Sequence, residues 1–245
     1  MKQIKHLLAA LLLIITVNTQ AQVGIGTASP AATAQLDVSS TTKGFLPPRM
    51  DSTQRNAIGS PAAGLIIYNT TLKSVQVYNG TAWFSTVHFI GESYGGGIVF
   101  YVYDNGQHGL IAATADQSTS IQWYNGINRN TGTTGDGLGA GAMNTAMIVA
   151  TQIADNQAGN FAAKVCADYS ITVGGVTYGD WYLPSKHELN LLYIQKAMVG
   201  GFANNYYWSS TEYGINVAWL QLFYDGSQFY YSKNFTDYVR AVRAF

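Results

Sequence analysis

The end of the chain limits the fold most. Residues 206–211, 217–224, 228–233 and 238–244 are rich in strand-forming aromatic and apolar side chains, and Asp225-Gly226 between the second and third is a hairpin turn. Such a β-meander needs a second layer to cover one face. The chain supplies candidates upstream. Residues 97–103 and 109–113 are two further β-like runs joined by Asp104-Asn105-Gly106. Asn144 or Thr145 is placed to cap a helix in which Ala146, Val149 and Ile153 recur at helical spacing, and Phe161, Val165 and Tyr169 mark a second. Ser185 and Glu188 have the spacing of a capping box, ahead of a helix with Leu189, Leu192, Tyr193 and Ala197 on one face. Helices followed by a strand-rich end predict an α+β domain.

Charge is scarce in this domain. The chain of 245 residues is 11% charged, against about 25% for an average soluble protein. Its 17 Tyr, 10 Phe and 5 Trp supply more buriable surface than a disordered chain carries. Thirteen basic and 13 acidic side chains argue against nucleic-acid binding of the electrostatic kind. Part of the apolar count is a leader. Lys2, Lys5 and His6 precede the apolar residues 7–17, and Thr19-Gln20-Ala21 offers a cleavage site after Ala21, so residues 1–21 read as a signal peptide and the protein as secreted or displayed at the cell surface. No cysteine follows that cut directly, and no later apolar run is long enough to span a bilayer. Cys166 is the lone cysteine, so no intrachain disulfide is available; it is expected to fill core in a helical stretch.

Residues 22–87 have a different grammar. Three short strands, 65–68, 74–78 and 81–86, are cut by Asn69-Thr70-Thr71 and Asn79-Gly80, and core residues are few. A segment this thin is expected to order by association with copies of itself. VGIGTASP, AATAQLDVSS, GFLPPRM, SPAAGLIIYNT and YNGTAW resemble the stalk module of phage-tail-fibre-like and bacterial surface proteins. The resemblance implies a β-rich homotrimeric stalk; a Gly/Pro-punctuated linker is the alternative.

Candidates for catalysis are few. Residues 131–141 form a Gly-rich loop without the Lys-Ser/Thr of a P-loop or a βαβ setting, and a structural role is favoured over phosphate binding. Asp136 within it could join other oxygens around calcium, although no EF-hand spacing is present. His88, His108 and His187 show no metal-ligand spacing. Ser209, His187 and Asp180 could form a catalytic set only by chance of folding, because no nucleophile elbow surrounds the serine. No enzymatic activity and no cofactor are expected.

GGGIVFYVYDNGQHGLIAAT, AAKVCADY, GDWYLPSKHEL, YYWSSTEY, AWLQLFYDG and YVRAVRAF occur in order over nearly all of residues 90–245. Together they resemble the C-terminal domain family first described in bacterial collagen-like adhesins. The resemblance implies a C-type-lectin-like fold over residues 88–245 and an extracellular glycan or protein ligand. Seven basic against eleven acidic residues from His88 onward, net −4, do not suit a sulfated polysaccharide. Nor are the Glu-Pro-Asn, Gln-Pro-Asp and Trp-Asn-Asp signatures of calcium-dependent sugar binding present. The layout also resembles lectin-fold proteins whose C-terminal segments are diversified by retroelements.

Between the family-like positions lie Tyr213, Ile215, Asn216, Leu220, Leu222, Tyr224, Phe229, Tyr231, Phe235 and Tyr238, the candidate ligand-binding residues, together with Val217, Tyr230 and Asp237. In an extended strand Trp219, Gln221 and Phe223 share one face, and Leu220, Leu222 and Tyr224 the other. If Trp219 and Phe223 face the core, the second row faces outward. Tyrosine offers large, stiff, amphipathic contact area, so this row is expected to be a ligand surface or, alternatively, an oligomer interface.

Overall fold

The computed structural model describes residues 22–154 and 159–245; the expected signal peptide lies outside them. Contacts divide the chain into two compact units, Met1–Arg49, described from residue 22, and Met50–Phe245.

In the first unit β1 (Val23–Ile25) and β2 (Leu36–Val38) pair in parallel, Val23 opposite Leu36. No residue of 22–49 is buried, and Val23, Ile25, Leu36, Val38, Phe45 and Leu46 are all exposed. A two-stranded parallel sheet, bare on both faces, lacks the cover that parallel strands need.

The second unit opens on a small sheet, whose first strand starts one residue earlier, at the last residue of the first unit. β3 (Arg49–Met50), β4 (Ile66–Asn69), β5 (Ser74–Tyr78) and β6 (Trp83–Ser85) lie in that order, and α1 (Ser52–Asn56) follows β3 behind a capping box made by Asp51 and Gln54. One face of this sheet closes on polar groups. Gln76 Oε1 accepts from Arg55 and from Asn69, and Gln76 Nε2 donates to Ser85 Oγ, with Asn69, Ser74 and Gln76 all buried. The opposite face carries the cross-strand row Ile66, Val77 and Phe84, whose two ends are exposed. Antiparallel sheets usually turn their apolar face inward; here it is the open one.

The rest of the unit is α+β. Its strands are β7 (Ser93–Tyr94), β8 (Gly97–Tyr103), β9 (His108–Ala112), β10 (Ser118–Gln122), the hairpin β11 (Ile171–Val173) and β12 (Val176–Tyr178), then β13 (Tyr206–Gly214), β14 (Val217–Leu222), β15 (Gln228–Ser232), β16 (Thr236–Val239) and β17 (Val242–Ala244). Its helices are α2 (Ala140–Ile153), α3 (Ala162–Ala167), α4 (Lys186–Ile194) and α5 (Lys196–Val199). One sheet has the order β17-β9-β8-β7 and the other β10-β16-β13-β14-β15. Trp123, Ile148, Phe161, Cys166, Leu183, Trp208 and Leu220 belong to one core cluster; Phe100, Leu110, Tyr182, Leu189, Leu192, Tyr207 and Phe223 belong to a second. Both fully buried indoles keep a partner, Trp123 donating to Ser209 O at 2.8 Å and Trp208 to Ile121 O at 3.1 Å.

Three elements differ from expectation. The helix behind Ser185 stops at Ile194, so Ala197 does not share its apolar face and lies exposed in the separate α5. α2 begins at Ala140, so Asn144 and Thr145 lie inside it rather than capping it. Its buried face is Gly141, Asn144, Thr145, Ile148 and Gln152, whereas Ala146 and Ile153 are exposed. Close approach explains the choice of face: a Cβ on Gly141 would stand 2.3 Å from the Glu188 carboxylate and 2.8 Å from Ser185 N. The last predicted strand also divides. β16 pairs with β10 and β13, then the chain turns at Arg240-Ala241 and β17 joins β9 in the other sheet. The segment is therefore not a simple meander.

Candidate functional site: an aromatic groove on the terminal sheet

Register decides which side chains meet. Trp208 opposes Leu220, which opposes Phe229; Ala218 opposes Tyr231; Tyr206 opposes Leu222. These residues share one face, with Trp208, Ala218 and Leu220 as its floor. The expected exposure is thus inverted at the middle of β14. Leu220 is only 2% exposed and belongs to the core, while Trp219 is half-buried on the other face. The cause is that β14 is covered on both sides: the apolar core takes Ala218 and Leu220, and on the other side Gln221 bonds Asn190 of α4 while Phe223 packs with Leu189 and Leu192. Simple alternation assumed one wet face.

Above Leu220 the sheet holds a groove of about 750 Å³. Tyr206, Leu220, Phe229, Tyr231, Phe235 and Asp237 line it, and Trp219, Gln228 and Tyr230 border it. The rings pair across it, Tyr206 with Phe229 at 6.2 Å between centroids and Tyr231 with Phe235 at 4.6 Å. Asp237 is partly buried among them, and no described residue donates a hydrogen bond to its carboxylate. Burial pushes that carboxyl up to about 6.

The other candidate residues lie elsewhere. Tyr213 stacks on Tyr230 at 4.1 Å and meets Trp219 edge-on at 5.6 Å, and Lys186 Nζ sits 4.1 Å over the Trp219 ring. Ile215 and Asn216 form the exposed turn between β13 and β14. Leu222 is half-buried at the end of β14. Tyr224, 69% exposed, is in the turn after it and not in the strand row, because Gly226 N closes the turn on Leu222 O. Tyr238 faces inward, its ring 5.3 Å from Tyr207 against the second core cluster. So Leu220, Phe229, Tyr231 and Phe235 are brought together; the remainder are not. Tyr206 was missed, and Asp237 was noticed only as a neighbour. Pairing register, which one sequence does not display, adds both.

A buried ion pair fixes the loops at one end of β13. Lys233 Nζ bonds Glu212 and also donates to Arg129 O and Ile215 O, at 3.1 and 3.0 Å. Glu212 in turn accepts from Thr131 N and Gly132 N. The Gly-rich loop is therefore committed to scaffolding: Gly139 N donates to Glu188, and Asp136 accepts from His187 N. The Ser209, His187 and Asp180 set does not assemble, since Ser209 donates to Trp219 O and Asp180 pairs with Arg243. Cys166 is fully buried, and desolvation raises its thiol far above the ordinary range. Among the described residues no three His, Cys, Asp or Glu side chains converge as metal ligands, and no helix is long and apolar enough to cross a membrane.

Residues 24–128 match the phage tail like trimerisation region, which runs past the composition boundary at residue 87 as far as Trp123 and beyond. That match supports a trimeric assembly, in keeping with the bare apolar surfaces of β1, β2 and the Ile66–Val77–Phe84 row. No curated protein matches the chain. Residues 112–243, more than half of the chain and including every wall of the groove, match the Lcl C-terminal domain, and the protein belongs to that family.

Proposed function

We propose that the protein is an exported, adhesin-like trimer whose C-terminal domain, of C-type-lectin-like fold, binds an extracellular glycan or protein ligand in the aromatic groove, without catalysis. The observation that carries this reading is the groove itself: exposed rings of Phe229, Tyr231 and Phe235 stand over a rigid, fully packed floor. Binding sites are commonly preformed, mainly apolar and of this volume. Aromatic anchors dominate binding energy. Phe229→Ser with Tyr231→Ser in the full chain is expected to weaken capture on glycan arrays and cell surfaces by about 100-fold or more, with thermal stability nearly unchanged because both rings are half-exposed. Undiminished capture by this variant would sink the proposal, and so would a reproducible turnover lost on changing Cys166 or His187.

A second reading has its own observation. The outward apolar row of the small sheet suits a subunit of a surface fibre, in which the groove rings would be another contact between copies. Ile66→Ser with Phe84→Ser is expected to convert the trimer to monomer in sedimentation, because it removes two exposed apolar anchors while leaving the polar face around Gln76 intact. If the groove variant, rather than this one, breaks the trimer, the fibre-contact reading of the groove replaces the ligand reading.

A further inference from the structure

We propose that the groove receives the ammonium group of a lysine side chain from an extended segment of a protein partner, with the carboxylate of Asp237 as its counter-ion and Tyr206, Phe229, Tyr231 and Phe235 around the stem. This inference rests on the groove being the ligand site and names the chemistry of what enters it. Asp237 is the first reason. A carboxylate among aromatic walls loses hydration, and a burial cost of this kind is normally offset by a hydrogen-bond or ionic partner. Its neighbours supply none: the groove is lined by no Lys, Arg or His. Ring faces attract cations and accommodate the methylene stem of lysine. The long-range field agrees, with seven basic and eleven acidic residues from His88 onward. A sugar would ask for several directed side-chain hydrogen bonds; these walls offer one carboxylate and phenols, and the Gln228 amide nitrogen at the border is already committed to Lys186 O and Gln221. The source is set by the edge of the sheet. β15, which carries Phe229 and Tyr231, is the last strand of its sheet, so its outer backbone groups can pair with an extended peptide.

The empty carboxyl titrates near 6, so affinity should fall about tenfold from pH 7 to pH 5 while lysine stays charged. The ionisable groups that face it from the elements packed around it are few. β10 and β14 contribute none, and β15 and the near end of β13 only tyrosine phenols. Glu212 farther along β13 is held by Lys233, which lies in the turn before β16.

The test uses the full-length trimer and acetylated, amidated heptapeptides with one central lysine, norleucine or acetyl-lysine, and n-butylamine as the free amine. The lysine peptide is expected to bind at least tenfold more tightly than either neutral peptide and than butylamine. In Asp237→Asn that preference should vanish. This variant should melt no lower than wild type at pH 7 and show a higher Tm relative to it there than at pH 4: an acid whose folded pKa is raised loses stability as pH rises from its unfolded value through 6. Equal binding of the lysine and norleucine peptides, a preference that survives Asp237→Asn, or butylamine as strong as the peptide overturns the inference. If a neutral glycan is bound and only the Phe229/Tyr231 variant loses it, the lysine inference falls while the groove keeps its function.

Discussion

Lys233→Met is expected to cost about 3–5 kcal/mol and to lower the Tm by roughly 10 °C. The side chain is fully buried, yet it is charged and bonded on several sides: to Glu212, to the carbonyls of Arg129 and Ile215, and 4.4 Å over the ring of Trp123. Desolvation lowers its pKa below the ordinary lysine value, and Glu212 opposes that shift. Methionine keeps most of the volume, so the loss is electrostatic rather than a cavity. It leaves the Glu212 carboxylate in the interior with Thr131 N and Gly132 N for partners and removes the lysine's bonds to two carbonyls. Removing one member of a buried pair is far more costly than removing both. Lys233→Met with Glu212→Gln should therefore recover more than half of the loss in a denaturant titration. A single variant within about 1 kcal/mol of wild type would show that the pair contributes little.

The same pair explains part of what the sequence left hidden. Glu212 and Lys233 are twenty-one residues apart and are joined only when β13, β14 and β15 pair in their register. Local patterns were legible. The capping box at Ser185 and Glu188 forms as spaced, Asp225-Gly226 falls at the turn, and the strands at 74–78 and 97–103 match residue for residue. Both family resemblances were legible too, because motifs such as GDWYLPSKHEL keep their order over long stretches. What failed depended on distant contacts. The cap of α2 was misplaced because its start is set by Gly139 and by the Gly141 approach to Glu188, and its polar buried face defeats an apolar periodicity. Leu220 and Trp219 exchanged roles because the apolar core takes the face that alternation left to solvent, while α4 covers the other face around Gln221 and Phe223 and leaves Trp219 half-buried. Asp237 drew no notice as a site residue, since its meaning lies in five neighbours from three strands and a loop.

Arg240→Met is expected to be equally costly, about 3–5 kcal/mol, and to weaken the groove as well. The guanidinium is fully buried at the corner where the chain leaves one sheet for the other. Nε donates to Asp116 at 2.7 Å, one terminal nitrogen to Ala113 O at 3.0 Å, and the other to Gly201 O at 2.7 Å, with the Phe202 ring 4.1 Å beneath. Lysine keeps the charge but cannot reproduce three diverging bonds, so Arg240→Lys should lose roughly half as much. The corner also reaches the site. Asp116, freed of its cation, still accepts from the Tyr207 hydroxyl at 3.0 Å, and Tyr207 lies on β13 beside Tyr206 and against Tyr238 of β16. A corner that loosens shifts β16, and with it Asp237, relative to the rings of β15. Ligand affinity measured well below the melting temperature should therefore fall severalfold in Arg240→Met although no atom of Arg240 lines the groove. A variant that loses stability but keeps full affinity would place the rigidity of the site in the Glu212–Lys233 end of the sheet instead.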